Sequence, residues 1–233
     1  QYYDASEDEV FDIGESYSFV TNDILGNLVI PFGLNIQTSI LQSIDVVAGW
    51  NWFSINVVPD SELYPDMTTL LASLGDGALF VGSQSSGTLT NYPQYGIWAG
   101  TLGSLEPGQK YRVKMDGDAT LDILGGAVDV ASTPIALSAG WNWLGYTPQN
   151  PGDVESSLSS LGADALFIGS QADGTSTNYP QYGLWAGTLS NLEPGAGYML
   201  KMENEGILTY PDFGLVRVAD NKQPVELTPA TRE

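Results

Sequence analysis

One block of this sequence is written twice, and a duplicated block of this length is expected to fold as the same unit two times over. Gly49-Trp50-Asn51-Trp52 recurs as Gly140-Trp141-Asn142-Trp143, and Ala78-Leu79-Phe80-Val81-Gly82-Ser83-Gln84 recurs as Ala165-Leu166-Phe167-Ile168-Gly169-Ser170-Gln171. Thr90-Asn91-Tyr92-Pro93-Gln94-Tyr95-Gly96 returns as Thr177-Asn178-Tyr179-Pro180-Gln181-Tyr182-Gly183, and Trp98-Ala99-Gly100-Thr101-Leu102 as Trp185-Ala186-Gly187-Thr188-Leu189. Leu105-Glu106-Pro107-Gly108 matches Leu192-Glu193-Pro194-Gly195, and Lys114-Met115 matches Lys201-Met202. Gly75–Met115 and Gly162–Met202 share 28 identities in 41 gap-free positions. The change in length falls earlier, where Ser54–Ser73 is four residues longer than Gly145–Ser160, the kind of insertion that loops accept. The unit is too long for a solenoid repeat. Each copy is therefore expected to be a small domain, and the pair to pack with pseudo-two-fold or translational symmetry.

Within each copy the local patterns are mostly those of strands. Residues 50–57 alternate bulky and polar side chains, which is strand period. Ala78–Gln84, Lys110–Met115 and their counterparts Ala165–Gln171 and Gly197–Met202 read as further strands. Met67–Leu74 and Val154–Leu161 carry apolar residues at helical spacing, the second after a capping Asp153, and both stop at a glycine, Gly75 or Gly162. Ser85–Tyr95 reads as turn-rich, and Glu-Pro-Gly as a tight turn. The fold class expected is mostly β with short helices: two tandem homologous β-rich domains with pseudo-symmetry, at 46–133 and 134–221. An N-terminal arm (1–45) with strands at Tyr17–Val20 and Leu28–Phe32 precedes them, and a C-terminal strand or tail (222–233) follows.

Composition narrows the chemistry. The 233 residues include neither Cys nor His. Disulfides and thiolate chemistry are excluded, and the usual general base, the Ser-His pair and most zinc or copper sites go with them. The net charge of -21 argues against nucleic acid and anionic membrane surfaces as partners. No apolar run is long enough to span a membrane as a helix, and no targeting segment is visible, so the chain reads as a mature or trimmed form. Asp116 and Asp118 are replaced by Glu203 and Glu205 in the second copy, and Glu7-Asp8-Glu9 lacks the spacing of a calcium loop. The expectation is a chain that is not an enzyme, with no catalytic residues, no metal site and no cofactor.

The aromatic residues divide into two groups. Trp50, Trp52, Trp141 and Trp143 lie at strand period and are expected to pack in the core rather than form a ligand platform. Tyr92, Tyr95 and Trp98, with Tyr179, Tyr182 and Trp185, sit in Pro/Gly-rich loops. There they can stack on a sugar, make an assembly contact, or simply pin the loop. A second signal lies at the C-terminus. Thr133-Pro134-Ile135-Ala136-Leu137 leads into the second Gly-Trp-Asn-Trp, and Gln223-Pro224-Val225-Glu226-Leu227 repeats its pattern. The chain thus carries what reads as the lead-in strand of a third copy, able to fold back or to pair with another molecule. Tyr95, Trp98, Tyr182, Trp185, Val225 and Leu227 are the candidate contacts for self-assembly or a ligand.

Gly-Trp-Asn-Trp, the glycine-bounded helix, Asn-Tyr-Pro-Gln-Tyr-Gly, Leu-Glu-Pro-Gly and the Lys-Met strand together resemble a repeat of large bacterial surface proteins and algal proteins. Over Gly49–Met202 the chain is similar to the pyrenoid shell proteins of diatoms, which have two related β-rich regions in tandem. That resemblance implies a structural protein that assembles with itself into a sheet-like lattice. The sheet encloses the Rubisco matrix of the pyrenoid in the chloroplast stroma and supports carbon concentration and fixation. The partners it implies are further copies, other shell proteins and the Rubisco matrix. The bacterial likeness keeps a different expectation open, an extracellular or cell-surface carbohydrate-binding or adhesion module.

Overall fold

The computed structural model describes residues 39–213, together with the backbone strands Tyr2–Asp4, Glu9–Ile13 and Ile36–Gln37, which form one small antiparallel sheet in that order. The expected strands Tyr17–Val20 and Leu28–Phe32 lie outside the described residues, as does the C-terminal segment with Val225 and Leu227. The described chain is mostly β with short helices.

The duplicated sequence makes the same sheet twice. In the first repeat the strand order is Gly49–Ser54, Lys110–Met115, Ala78–Ser83, Thr88–Tyr92, Ile97–Gly100, all antiparallel. In the second it is Gly140–Gly145, Gly197–Met202, Ala165–Ser170, Thr175–Tyr179, Leu184–Gly187. Alternation along each strand sends one set of side chains inward. Tyr111, Val113 and Met115 point into the first core, and Tyr198, Leu200 and Met202 into the second. A second layer closes each core. In the first repeat it is a three-stranded sheet, Ser39–Val46, Ala119–Ala127, Val57–Pro59, which contributes Ile44, Leu121 and Ile123. In the second it is reduced to the pair Ile135–Leu137 and Gly206–Leu208.

Each expected helix is present, as one α-helical turn followed by a 3-10 segment. Asp66 caps Met67–Leu70 with a capping box: its carboxylate accepts from the Thr69 N–H at 2.8 Å, and its own N–H donates to Thr69 Oγ1 at 3.3 Å. Asp153 caps Val154–Ser157 by accepting from the Ser156 N–H at 2.8 Å. The stop glycines Gly75 and Gly162 have φ of +66° and +55°, a region costly for other residues. One expectation is corrected. Ser85–Tyr95 is turn at its two ends, Ser85–Gly87 and the 3-10 turn Pro93–Tyr95, while Thr88–Tyr92 between them is a full strand paired with Ala78–Ser83. Its β-branched and aromatic residues favour that state once a neighbouring strand is available.

The two sheets join along strands that would otherwise be open edges. Gly49–Ser54 is the last strand of its sheet, yet its outer side is covered by the second repeat. The Gln171 side chain accepts from the Trp52 N–H at 2.6 Å and donates to the Trp50 carbonyl. Beyond it the Ser54 N–H donates to the Gly195 carbonyl at 2.9 Å. The reverse contacts hold equally. Gln84 accepts from the Trp143 N–H at 2.6 Å and donates to the Trp141 carbonyl at 2.8 Å, and the Gly145 N–H donates to Gly108 at 3.0 Å. A glutamine amide offers the same acceptor and donor as a peptide group, so each side chain stands in for a missing strand. The glycine carbonyls arrive on the two Glu-Pro-Gly turns. Each turn is held by a buried tyrosine whose hydroxyl accepts a backbone N–H at 2.7 Å, Tyr111 from Glu106 and Tyr198 from Glu193. Burial pushes the Tyr111 hydroxyl up to about 12, so it stays protonated.

Truncating either glutamine leaves a backbone donor and acceptor of the other repeat unpaired. These bonds are exposed and water can replace the lost partner, so Gln84→Ala and Gln171→Ala are each expected to lower the unfolding free energy by about 0.5–1.5 kcal/mol, measured by urea denaturation. Equal losses from the two variants are the signature of a reciprocal joint. A loss confined to one of them would show that only one half of the joint bears load.

Candidate functional site

Two copies of an aromatic tip occupy the strands farthest from the joint. In the first repeat Thr88–Tyr92 and Ile97–Gly100 are linked by a 3-10 turn, Pro93–Tyr95, and by Gly96 in the left-handed region at φ +65°, ψ +33°. In the second the same geometry runs through Pro180–Tyr182 and Gly183. This turn throws one tyrosine into solvent. Tyr95 and Tyr182 are each 72% exposed, and Tyr92, Ile97, Tyr179 and Leu184 are exposed beside them. The tryptophans of the same loops behave differently. Trp98 and Trp185 are half-buried and pack against the two cores, and the Trp98 N–H donates to Thr68 Oγ1 at 3.2 Å. Of the candidate contacts, Tyr95 and Tyr182 are thus presented outward, and Trp98 and Trp185 form the wall behind them. Trp185 also borders a groove of about 390 Å³, floored by Leu158 and Gly162.

The expectation that the Gly-Trp-Asn-Trp tryptophans fill the core is corrected. Phe53 and Leu144 point into the cores, and the period of two then sends the tryptophans to the opposite, outward face. Trp50 is 43% exposed and Trp141 47%, while Trp52 and Trp143 are half-buried between the repeats. The indoles are held there by edge-on contacts to Phe80 and Phe167, each at 5.8 Å between ring centres, and by cations. The described residues carry four Lys and Arg side chains, Lys110, Arg112, Lys114 and Lys201, and all four stand on this face. The Arg112 guanidinium lies 4.8 Å from the Trp50 ring centre and 5.6 Å from that of Trp143. Lys114 lies 6.0 Å from Trp50, and Lys201 lies 6.0 Å from Trp141, distances at which ring faces attract cations.

Lys110 sits at the centre of the joint and is only 1% exposed. Its Nζ is 3.5 Å from the Trp52 ring centre and 4.3 Å from that of Trp143, so equivalent tryptophans of the two repeats grip one amine. The equivalent position in the second repeat is Gly197, where even a methyl group would run into the Lys110 stem. Only one of the two sites can hold a lysine. Burial, and then the Arg112 charge, pull the Lys110 amine down to about 7. The amine borders a cavity of about 600 Å³ lined by Gln84, Gln109, Ile135 and Trp143.

Among the described residues no three carboxylates converge on a point that could hold a metal ion, and no helix is long and apolar enough to cross a membrane. Asp118 instead accepts the Ala48 N–H at 3.0 Å. The residues that sequence reasoning missed are Lys110, Arg112, Gln84 and Gln171. The available signal was Lys-x-Arg-x-Lys at strand period in a chain otherwise so acidic. No family model matches the chain, and neither a curated protein nor a solved structure does.

The Lys110 amine titrates lower in the folded chain than the 10.5 of an ordinary lysine. Between those values the unfolded chain holds a proton that the folded chain has released, so stability rises with pH; below about 7 the cost of the buried charge is present in full. In urea unfolding between about pH 7 and about pH 9.5, wild type is expected to gain stability relative to Lys110→Met as pH increases. Parallel profiles would show that the two indoles keep the amine charged through that window.

Proposed function

We propose that this chain is a structural protein that assembles with copies of itself, with each repeat forming one domain and the two related by a pseudo-two-fold axis through the joint. The observation that carries the reading is the duplicated tip: Tyr92, Tyr95 and Ile97 where the last two strands of one sheet meet, and Tyr179, Tyr182 and Leu184 where those of the other meet. Apolar side chains clustered on a surface mark a contact more often than an accident. Because the sheets join by their inner strands, the two tips lie at opposite ends of the strand order, and one molecule can engage two neighbours. Contacts between like tips build an open array rather than a closed pair. The reciprocal joint supports the symmetry, since exchanging equivalent residues exchanges its hydrogen bonds. Together with the resemblance to pyrenoid shell proteins, this reading takes the array to be a sheet around the Rubisco matrix in the chloroplast stroma, with shell proteins and the matrix as further partners.

A second reading rests on the groove beside Trp185, whose half-buried indole can stack on a sugar ring. It makes the chain a carbohydrate-binding or adhesion module at a cell surface. The two readings separate on two variants. Tyr95→Ser with Tyr182→Ser is expected to reduce assembled protein at least tenfold in sedimentation and electron microscopy, with the unfolding midpoint unchanged. Trp185→Ala is expected to leave assembly intact. If instead wild type stays monomeric at high concentration and moderate salt, and Trp185→Ala abolishes a polysaccharide gel shift, the second reading replaces the first.

A further inference from the structure

The first repeat is a slab with two unlike outer faces. Its five-stranded sheet turns Trp50, Phe80, Arg112 and Lys114 outward, with Trp50 directly opposite Lys114 in the register and Trp52 opposite Arg112. Its three-stranded sheet packs on the other side of the same core. By the same alternation, the inward Ile44, Val46, Leu121 and Ile123 leave Asp45, Asp122 and Leu41 on the outside. Thr120 Oγ1 donates to Asp45 at 2.8 Å and Ser43 Oγ donates to Asp122 at 2.6 Å, so both carboxylates are fixed in place on the sheet surface. Leu41 is 59% exposed beside them, and Val58 is exposed on the neighbouring strand. The strands Ser39–Val46 and Ala119–Ala127 contain no basic residue.

We propose that these two faces dock on each other between copies, the cation–aromatic face of one molecule on the acid–aliphatic face of the next. The inference rests on the self-assembly reading and adds a second contact to it. Both partners are sheet faces, one with two cations at strand period and the other with one carboxylate on each of two paired strands, and each has apolar surface beside the charge to bury. The occupant is a second copy because the same chain carries the complement, on the far side of one core. A contact between unlike faces is heterologous, so each docked copy offers the next a free face and the stack propagates. Charge segregation also explains how so acidic a chain can approach itself. The gathered cations meet carboxylates locally, and salt screens the remaining repulsion over a Debye length of about 8 Å. Association is then strongest at intermediate ionic strength: too little salt leaves the net repulsion, and too much weakens the facing pairs.

The test is a charge exchange read by sedimentation velocity on the whole chain. Arg112→Glu with Lys114→Glu makes both faces acidic, and Asp45→Lys with Asp122→Lys makes both cationic. Each double variant alone is expected to lose association at least tenfold, and an equimolar mixture of the two is expected to recover it, because opposite faces then alternate. Lys114→Glu alone, which lies away from the joint, is expected to weaken association by a smaller factor, and so keeps the test valid if Arg112→Glu loosens the repeats. Failure of the mixture to recover, with both variants folded by circular dichroism, overturns the proposal. So does unchanged self-association of the variants together with loss of wild-type retention on a sulfated polysaccharide, which assigns the face to a polyanion. Either result, alongside assembly still sensitive to Tyr95→Ser and Tyr182→Ser, leaves the aromatic-tip reading standing.

Discussion

Two glutamine side chains and the carbonyls of two Glu-Pro-Gly turns join the two copies of this duplicated chain along their strand edges. Gly49–Ser54 and Gly140–Gly145 each end a sheet, and an exposed strand edge is a row of unpaired donors and acceptors. Gln171 and Gln84 close those rows from the opposite repeat, reproducing the amide pattern of a strand with a single side chain. Other features depend on that closure. It brings Trp52 and Trp143 close enough to hold Lys110 between them, and it sets Gly108 and Gly195 against the lead-in strands, where their α-carbons face Ile135 and Ile44. It also leaves the Ile97–Gly100 and Leu184–Gly187 strands as the outermost of the two sheets.

The joint also shows where two nearly identical repeats were obliged to differ. Symmetry would place lysines at both 110 and 197, but the space between the tryptophans holds one stem and one amine. Two adjacent ammonium groups there would repel without a carboxylate to offset them. Gly197 resolves the conflict by removing its side chain altogether. The difference at the next outward position, Arg112 against Met199, follows the same pattern: the cation that reaches across to Trp143 comes from the first repeat, and the second supplies a neutral residue.

Much of the fold was legible because it was local. Strand period in Lys110–Met115, the capping aspartate Asp153 and the stop glycines Gly75 and Gly162 each depend on a few consecutive residues. What could not be read depended on which neighbour a strand meets. The Trp-x-Trp alternation fixes that both indoles share a face, but only the position of Phe53 relative to the core decides that this face is outside. Thr88–Tyr92 looked like loop because its glycine and proline neighbours are turn formers, and its strand state comes from pairing with Ala78–Ser83. Of the candidate contacts, Tyr95 and Tyr182 stand where loop chemistry suggested. Trp98 and Trp185 turn half inward, because large apolar rings on an edge strand gain more by covering the core than by facing water.

The distribution of charge is the feature that sequence composition alone conceals. A net charge of -21 describes a uniformly repulsive particle, and from that number association between copies looks unfavourable. The structure separates the charges instead. Among the described residues Arg112 and Lys114 stand exposed on one face of the first repeat, each over an aromatic ring, and Asp45 and Asp122 stand on the opposite side of the same core. Holding a cation over an indole satisfies it without neutralising it, so its field remains available to a second molecule in a way that an internal ion pair would not allow. Trp50 therefore does two things at once: it stabilises the repeat that carries it, and it keeps the charges of Arg112 and Lys114 unpaired with a carboxylate and pointed outward.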